Sequence, residues 1–255
     1  MFSLKDSIIK VFLLVLFISG IIIIFQYPAK LLDLENYAIP MSHTLALLIF
    51  IILIRKENIK EDFKKFKQNK SSFLIYSILP LLSITFFIVE IPVVLILPNW
   101  SNLTSISSIK SSNVTTIIIY AVILIPVLEE LLFRGLFLDS FLKIYSPVKA
   151  IIYSSVLFAI IHINPMQTLS AFLGGLIIGW LYYKTESLLP CILFHSIINS
   201  SNGFLFKYFS PNGIYFKEYN FSYILFYLIC LSLLVVSILI INKSYKKKFI
   251  VIKNV

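Results

Sequence analysis

Long apolar runs, separated by short polar stretches, set the pattern of this chain. Eight runs read as membrane-spanning helices, at about 8–27, 37–54, 73–98, 114–138, 148–163, 167–183, 188–206 and 222–242. A helix needs roughly 20 residues to cross the hydrocarbon core of a bilayer. Membrane strands would alternate polar and apolar positions, and these runs do not. The pattern therefore predicts an all-α fold, a polytopic membrane helix bundle of about eight transmembrane helices forming one domain over residues 1–255. The first run reads as a span and not as a cleavable leader, because it is long and "FQYPAKLLD" follows it without a small-residue cleavage site. There is no internal repeat and no second domain.

Composition agrees with the pattern. Of the 255 residues 59% are hydrophobic, and the mean hydropathy is +0.94. A soluble domain has about 45–50% apolar residues. Charge adds an orientation. The net charge of +10 sits in loops and tails, so it reports topology and not nucleic-acid binding. With eight spans, seventeen lysines and arginines fall on one side and four on the other, which predicts both termini in the cytoplasm. Within 55–70, Ile59, Phe63 and Phe66 recur at helical spacing among lysines. That reads either as a helix lying on the inner membrane surface or as an ordinary charged loop helix. The glycosylation-like triplets at Asn102 and Asn113 are short enough to occur by chance. Cys191 and Cys230 both lie in apolar segments and suggest neither a disulfide framework nor a zinc-finger spacing.

Polar residues inside spans are costly and mark function by default. Four groups stand out: Glu129, Glu130 and Arg134 in "LEELLFRG"; His162 in "FAIIH"; His195 and Asn199 in "HSIIN"; and the outlying His43 and Glu90. On a helix, residues four apart share a face, so Glu130 and Arg134 are placed to pair. Glu129 is rotated by about 100° from its neighbour and need not share the arginine. One carboxylate thus has a structural partner and the other is left for chemistry; the alternative is that all three charges form one structural cluster holding helices together. Pro126, one turn earlier, is expected to bend the helix. Phe158 falls one turn before His162 and places an aromatic ring beside it. Ala171, Gly175 and Gly179, with Gly174, form a line of small residues that lets helix backbones approach.

A carboxylate and a histidine can activate water for attack on an amide carbonyl, while a second histidine and an asparagine amide stabilise the oxyanion. Alternatively, two histidines and a glutamate hold zinc, with the other glutamate as base. The residue types leave both open. There is no G-x-S-x-G or Walker motif. A proton-coupled carrier built on Glu90, Glu129 and His162 would call for inverted-repeat halves, which the sequence lacks.

In order and spacing, "EELLFR", "FAIIH" and "HSIIN" resemble the CPBP family, the CAAX-processing type II proteases and their bacterial relatives, often called the Abi family. The resemblance covers about residues 114–206, the expected catalytic core. It implies an intramembrane endopeptidase with eight helices. Carried onto this chain, it implies that Glu129 and His162 activate the water, that His195 and Asn199 form the oxyanion site, and that Glu130, Arg134 and Phe158 support them. On the favoured mechanism no cofactor is required; if zinc is bound, Glu129, His162 and His195 are its candidate ligands. The implied partners are a membrane-embedded or membrane-associated peptide substrate and the lipid bilayer, with no nucleic acid. The short loops resemble the bacterial form, which points to a bacterial cell membrane and includes bacteriocin self-immunity among the family's roles. The alternative is a non-catalytic immunity or scaffold membrane protein. Glu90 and His43 receive no role from the resemblance.

Overall fold

The first helix starts on a reciprocal cap. In this computed structural model, which describes residues 2–31, 35–54, 73–94, 97, 118–162, 164–204 and 221–245, the Ser3 hydroxyl accepts from the Asp6 N–H at 3.2 Å. The Asp6 carboxylate accepts from the Ser3 N–H at 3.1 Å, so two otherwise orphaned donors are satisfied together. The helix that follows, α1, spans Leu4–Leu31, and α2 spans Glu35–Ile54 and packs along it. Helix α3 covers Phe73–Val94.

The fourth helix, residues 118–141, is composite. Ile118–Leu124 winds as a π-helix, Ile125–Leu132 as an α-helix, Phe133–Leu138 again as a π-helix, and Asp139–Phe141 closes it as α. We denote the whole as α4. Helix α5 is Pro147–Ile160, opened by a proline whose missing N–H costs nothing at a first turn. Asn164 caps α6, Pro165–Thr185, by accepting from the Met166 N–H at 3.0 Å. Glu186, left-handed at φ 51°, ends α6 and sends the chain straight into α7, Leu188–Phe204. Helix α8 is Phe221–Ser244.

The described residues are all helical or connecting; the expected all-α fold is observed. Three helices are long and apolar enough to cross a membrane, over Leu4–Pro28, Phe73–Val93 and Ile224–Ser244. The outer faces of α1 and α8 present Phe12, Leu16, Ile23, Leu228, Val235 and Leu239 outward, a surface suited to lipid and not to water. The chain is of integral helical membrane type. The expected amphipathic stretch 55–70 and the triplets at Asn102 and Asn113 lie outside the described residues.

Inside, α4 is the hub. Its Phe133, Phe137 and Phe141 are fully buried and join Phe2, Tyr145, Tyr153 and Phe158 in a run of edge and stacked ring contacts. The small-residue line on α6 does what its spacing predicts. A Cβ on Gly175 would come within 3.1 Å of the Ser155 Cβ, and one on Gly179 within 3.0 Å of an Ile151 methyl. Helices α5 and α6 can lie this close only because those positions are glycine. Gly174 faces elsewhere, toward Phe86 of α3, at an ordinary 3.8 Å.

Candidate active site

The two glutamates of α4 have different surroundings. Glu130 and Arg134 are fully buried, and the guanidinium Nη1 donates to Glu130 Oε1 at 2.9 Å. Arg134 Nη2 donates to the Gly175 carbonyl at 3.2 Å, and its guanidinium carbon stands 4.6 Å from the centre of the Phe158 ring. The expected i, i+4 pair is present, and it also ties α4 to α5 and α6. His195 on α7 joins it: Nδ1–H donates to the same Glu130 Oε1 at 2.9 Å.

Glu129 makes no such closed pair. Its side chain is buried, yet its two oxygens face two different imidazoles across gaps of nearly equal width. Oε2 is 3.7 Å from His195 Nε2, and Oε1 is 3.8 Å from His43 Nε2. Of the three histidines in the chain, His43 and His195 come within 4 Å of Glu129. His162 sits just past the end of α5. Its Nδ1 lies 3.0 Å from the Phe158 carbonyl. A carbonyl can only accept, so Nδ1 carries the proton and the neutral ring has its lone pair on Nε2. The ring is flanked by Phe158, centroid to centroid 5.1 Å, and Phe158 stands 5.6 Å from the His195 ring. Thr168 donates its hydroxyl to the His162 carbonyl and so fixes the turn that carries the histidine.

Glu129 and His195 are therefore brought together, with Glu130 and Arg134 behind them, and the Phe158 ring contacts both His195 and His162. Asn199 is placed differently. It is on the same face of α7 as His195, but its amide donates to the Ala121 carbonyl at 2.8 Å. The reason lies in the winding of α4. A π-wound carbonyl at 121 looks for the N–H five residues on, and residue 126 is a proline with none. Asn199 fills the place that Pro126 leaves empty. Residues read from sequence as outlying also gain places. Glu90 is buried and accepts from the Ser170 hydroxyl at 3.0 and 3.1 Å. His43, outlying in the sequence, stands 3.8 Å from Glu129. The signal that could have found it is scarcity: three histidines in 255 residues, each within an apolar run. Cys191 directs its thiol to the Ile178 and Ser187 carbonyls, at 3.6 and 3.4 Å, so it is not paired with His195 as a nucleophile.

Zinc ligation was the other chemistry open to these residues. A tetrahedral zinc needs its donors converging at about 2.0–2.3 Å. Among the described residues no three His, Cys, Asp or Glu side chains form such a set. The Nδ1 atoms of His162 and His195 are held by the Phe158 carbonyl and Glu130, which leaves each Nε2 as the nitrogen free to bind a metal or a substrate. No step below is routed through a metal.

Residues 111–201 match the family model described as Type II CAAX prenyl endopeptidase Rce1-like. The resemblance to the CPBP family is thereby borne out. The match takes in α4 to α7, the helices that carry Glu129, Glu130, Arg134, His162, His195 and Asn199; His43 and Glu90 lie outside it. No curated protein and no solved structure matches the chain.

Proposed function

We propose that this protein is an intramembrane endopeptidase that hydrolyses a peptide bond of a membrane-associated protein or peptide. The observation that carries this reading is the division of labour between the two glutamates. Glu130 is held by Arg134 and His195, while Glu129, equally buried, has both oxygens turned to imidazoles that do not close on it. Facing groups at such separations tighten on a substrate in many enzymes.

In this mechanism a water enters beside Glu129 and gives it a proton while attacking the scissile carbonyl. His162 accepts a hydrogen bond from that water through Nε2 and so orients it. His195 has its Nδ1–H on Glu130, so its Nε2 faces the reacting atoms; when it carries a proton, that N–H stabilises the oxyanion. The proton on Glu129 then passes to the leaving amine, and the carbon–nitrogen bond breaks. Exclusion of bulk water strengthens each of these interactions. Asn199 supports the oxyanion site by holding α7 to α4 beside His195. The chain acts as one membrane domain over 1–255, with eight spans, both termini cytoplasmic and the core at 114–206.

The family description supports a prenylated C-terminal peptide as the first substrate to try. The test does not depend on that choice. Membranes containing the wild type or Glu129→Gln are incubated, and the peptide ends that appear are compared by mass spectrometry. Ends generated only by the wild type, with Glu129→Gln slower by about 10²–10⁴-fold as for loss of a general base, support the reading. Identical ends from both would leave a non-catalytic immunity or scaffold protein. Activity that disappears with a chelator and returns with zinc would overturn the metal-free mechanism.

A further inference from the structure

His43 comes from α2, outside the residues that match the family, and nothing in the motifs gives it a task. Its place is nevertheless specific. Helix α2 packs against the stretch of α4 that bears the two glutamates. His43 Nε2 lies 3.8 Å from Glu129 Oε1, mirroring His195 Nε2 at 3.7 Å from Oε2. The His43 side chain is 27% exposed, against 4% for Glu129 and 8% for His195, so it stands at the open edge of the site.

A carboxylate on a flexible glutamate side chain turns about its last torsion, which is broad and roughly two-fold. One imidazole restrains one oxygen. Two imidazoles on opposite oxygens restrain the plane. His195 is itself anchored by Glu130, so that side of the clamp is built within the matched core. The other side is built by α2. We propose that His43 is a positioning residue for Glu129: closing from 3.8 Å as substrate binds, it restrains Oε1, and with His195 it sets the carboxylate plane in which Glu129 takes the proton from water. This rests on the proteolytic reading above. It extends the site beyond the matched core and makes α2 a working part of it.

Two measurements on the full chain in membranes test this. The first concerns placement. In a background with Cys191 and Cys230 replaced by alanine, His43→Cys and Glu129→Cys are combined and treated with a short bifunctional thiol reagent. A cross-link between them is expected; its absence, with both cysteines shown to react with a small monofunctional thiol reagent, would overturn the placement whatever the protein does. The second is the rate at which wild-type-specific peptide ends appear. His43→Leu keeps the bulk but has no polar atom, and is expected to be slower by about 10- to 100-fold, the scale of a misplaced reacting group. His43→Gln offers an amide N–H to the same oxygen and is expected to regain most of that loss. Equal thermal stability of the two variants separates this pattern from a folding defect. Wild-type rates in His43→Leu, while Glu129→Gln is inactive, would sink the positioning role and leave the protease. Leu and Gln variants equally slow would also reject it. A wild type no different from Glu129→Gln would remove the protease and this role with it.

Discussion

Adjacent residues can be held by unlike forces, and Glu129 and Glu130 show how that separates folding from chemistry. Removing Glu130 leaves the Arg134 guanidinium fully buried without its carboxylate. An uncompensated buried charge of this kind costs about 3–5 kcal/mol. Glu129 closes no hydrogen bond with either imidazole, so its loss takes away little that the fold depends on. Glu130→Ala is therefore expected to melt well below the wild type in detergent and to lose cleavage, while Glu129→Ala loses cleavage and melts close to it. Thermal unfolding of the two purified variants side by side checks this. Similar melting losses in both would show that Glu129 is a structural charge after all. Arg134 has three partners at once: Glu130, the Gly175 carbonyl and the Phe158 ring. A lysine ammonium cannot serve all three, which is why a planar, forked donor stands here.

Helix α4 shows how winding carries information between elements. A π-helical turn displaces the bonding partner by one residue, so a proline just after it frees a different carbonyl than it would in an α-helix. The carbonyl freed here belongs to Ala121, and Asn199 answers it from α7. The consequence can be tested as a cycle. Asn199→Ala alone leaves that half-buried carbonyl without its donor and is expected to cost about 1–3 kcal/mol. Pro126→Ala restores a backbone N–H to the helix, so Asn199→Ala should cost much less in that background. Melting temperatures of the four proteins give the coupling. If the two losses simply add, Asn199 is not compensating for the proline. The second π stretch has a comparable helper, since the Ser154 hydroxyl donates to the Phe133 carbonyl at 3.0 Å. On α6, glycine at 175 serves two ends together: it admits α5 at close range, and its carbonyl receives Arg134.

For the whole molecule, burial sorts the helices. In their most apolar windows α1 has 17% of residues buried and α8 22%, against 50% for α3. The two outer helices therefore turn most of their apolar surface to lipid, while the site is built on helices nearer the centre. On the proposed eight-span arrangement both termini lie on one side, which the lysine and arginine distribution assigns to the cytoplasm. Reporter fusions at each end, one type active only inside and the other only outside, should agree that both ends are cytoplasmic. Opposite signals from the two ends would mean an odd number of spans.

The sequence alone determined the helical class, the approximate place of every described helix, and the pairing of Glu130 with Arg134, because these rest on hydrophobic run length and on the i, i+4 repeat of a helix. It also placed Phe158 against His162 and the glycines of α6 at a close helix contact, which follow from the same local periodicity. Only the tertiary structure decided which helices meet, and three assignments depended on that. His43 moved from the margin into the site because α2 packs on α4. Asn199 proved to serve a backbone carbonyl because α4 changes its winding at Pro126. His195 came to Glu130 because α7 packs against α4, which fixes its Nδ1 and leaves its Nε2 toward Glu129. Local order follows from the spacing of residues along one helix; contact between helices depends on rotation and depth, which no single run of sequence contains.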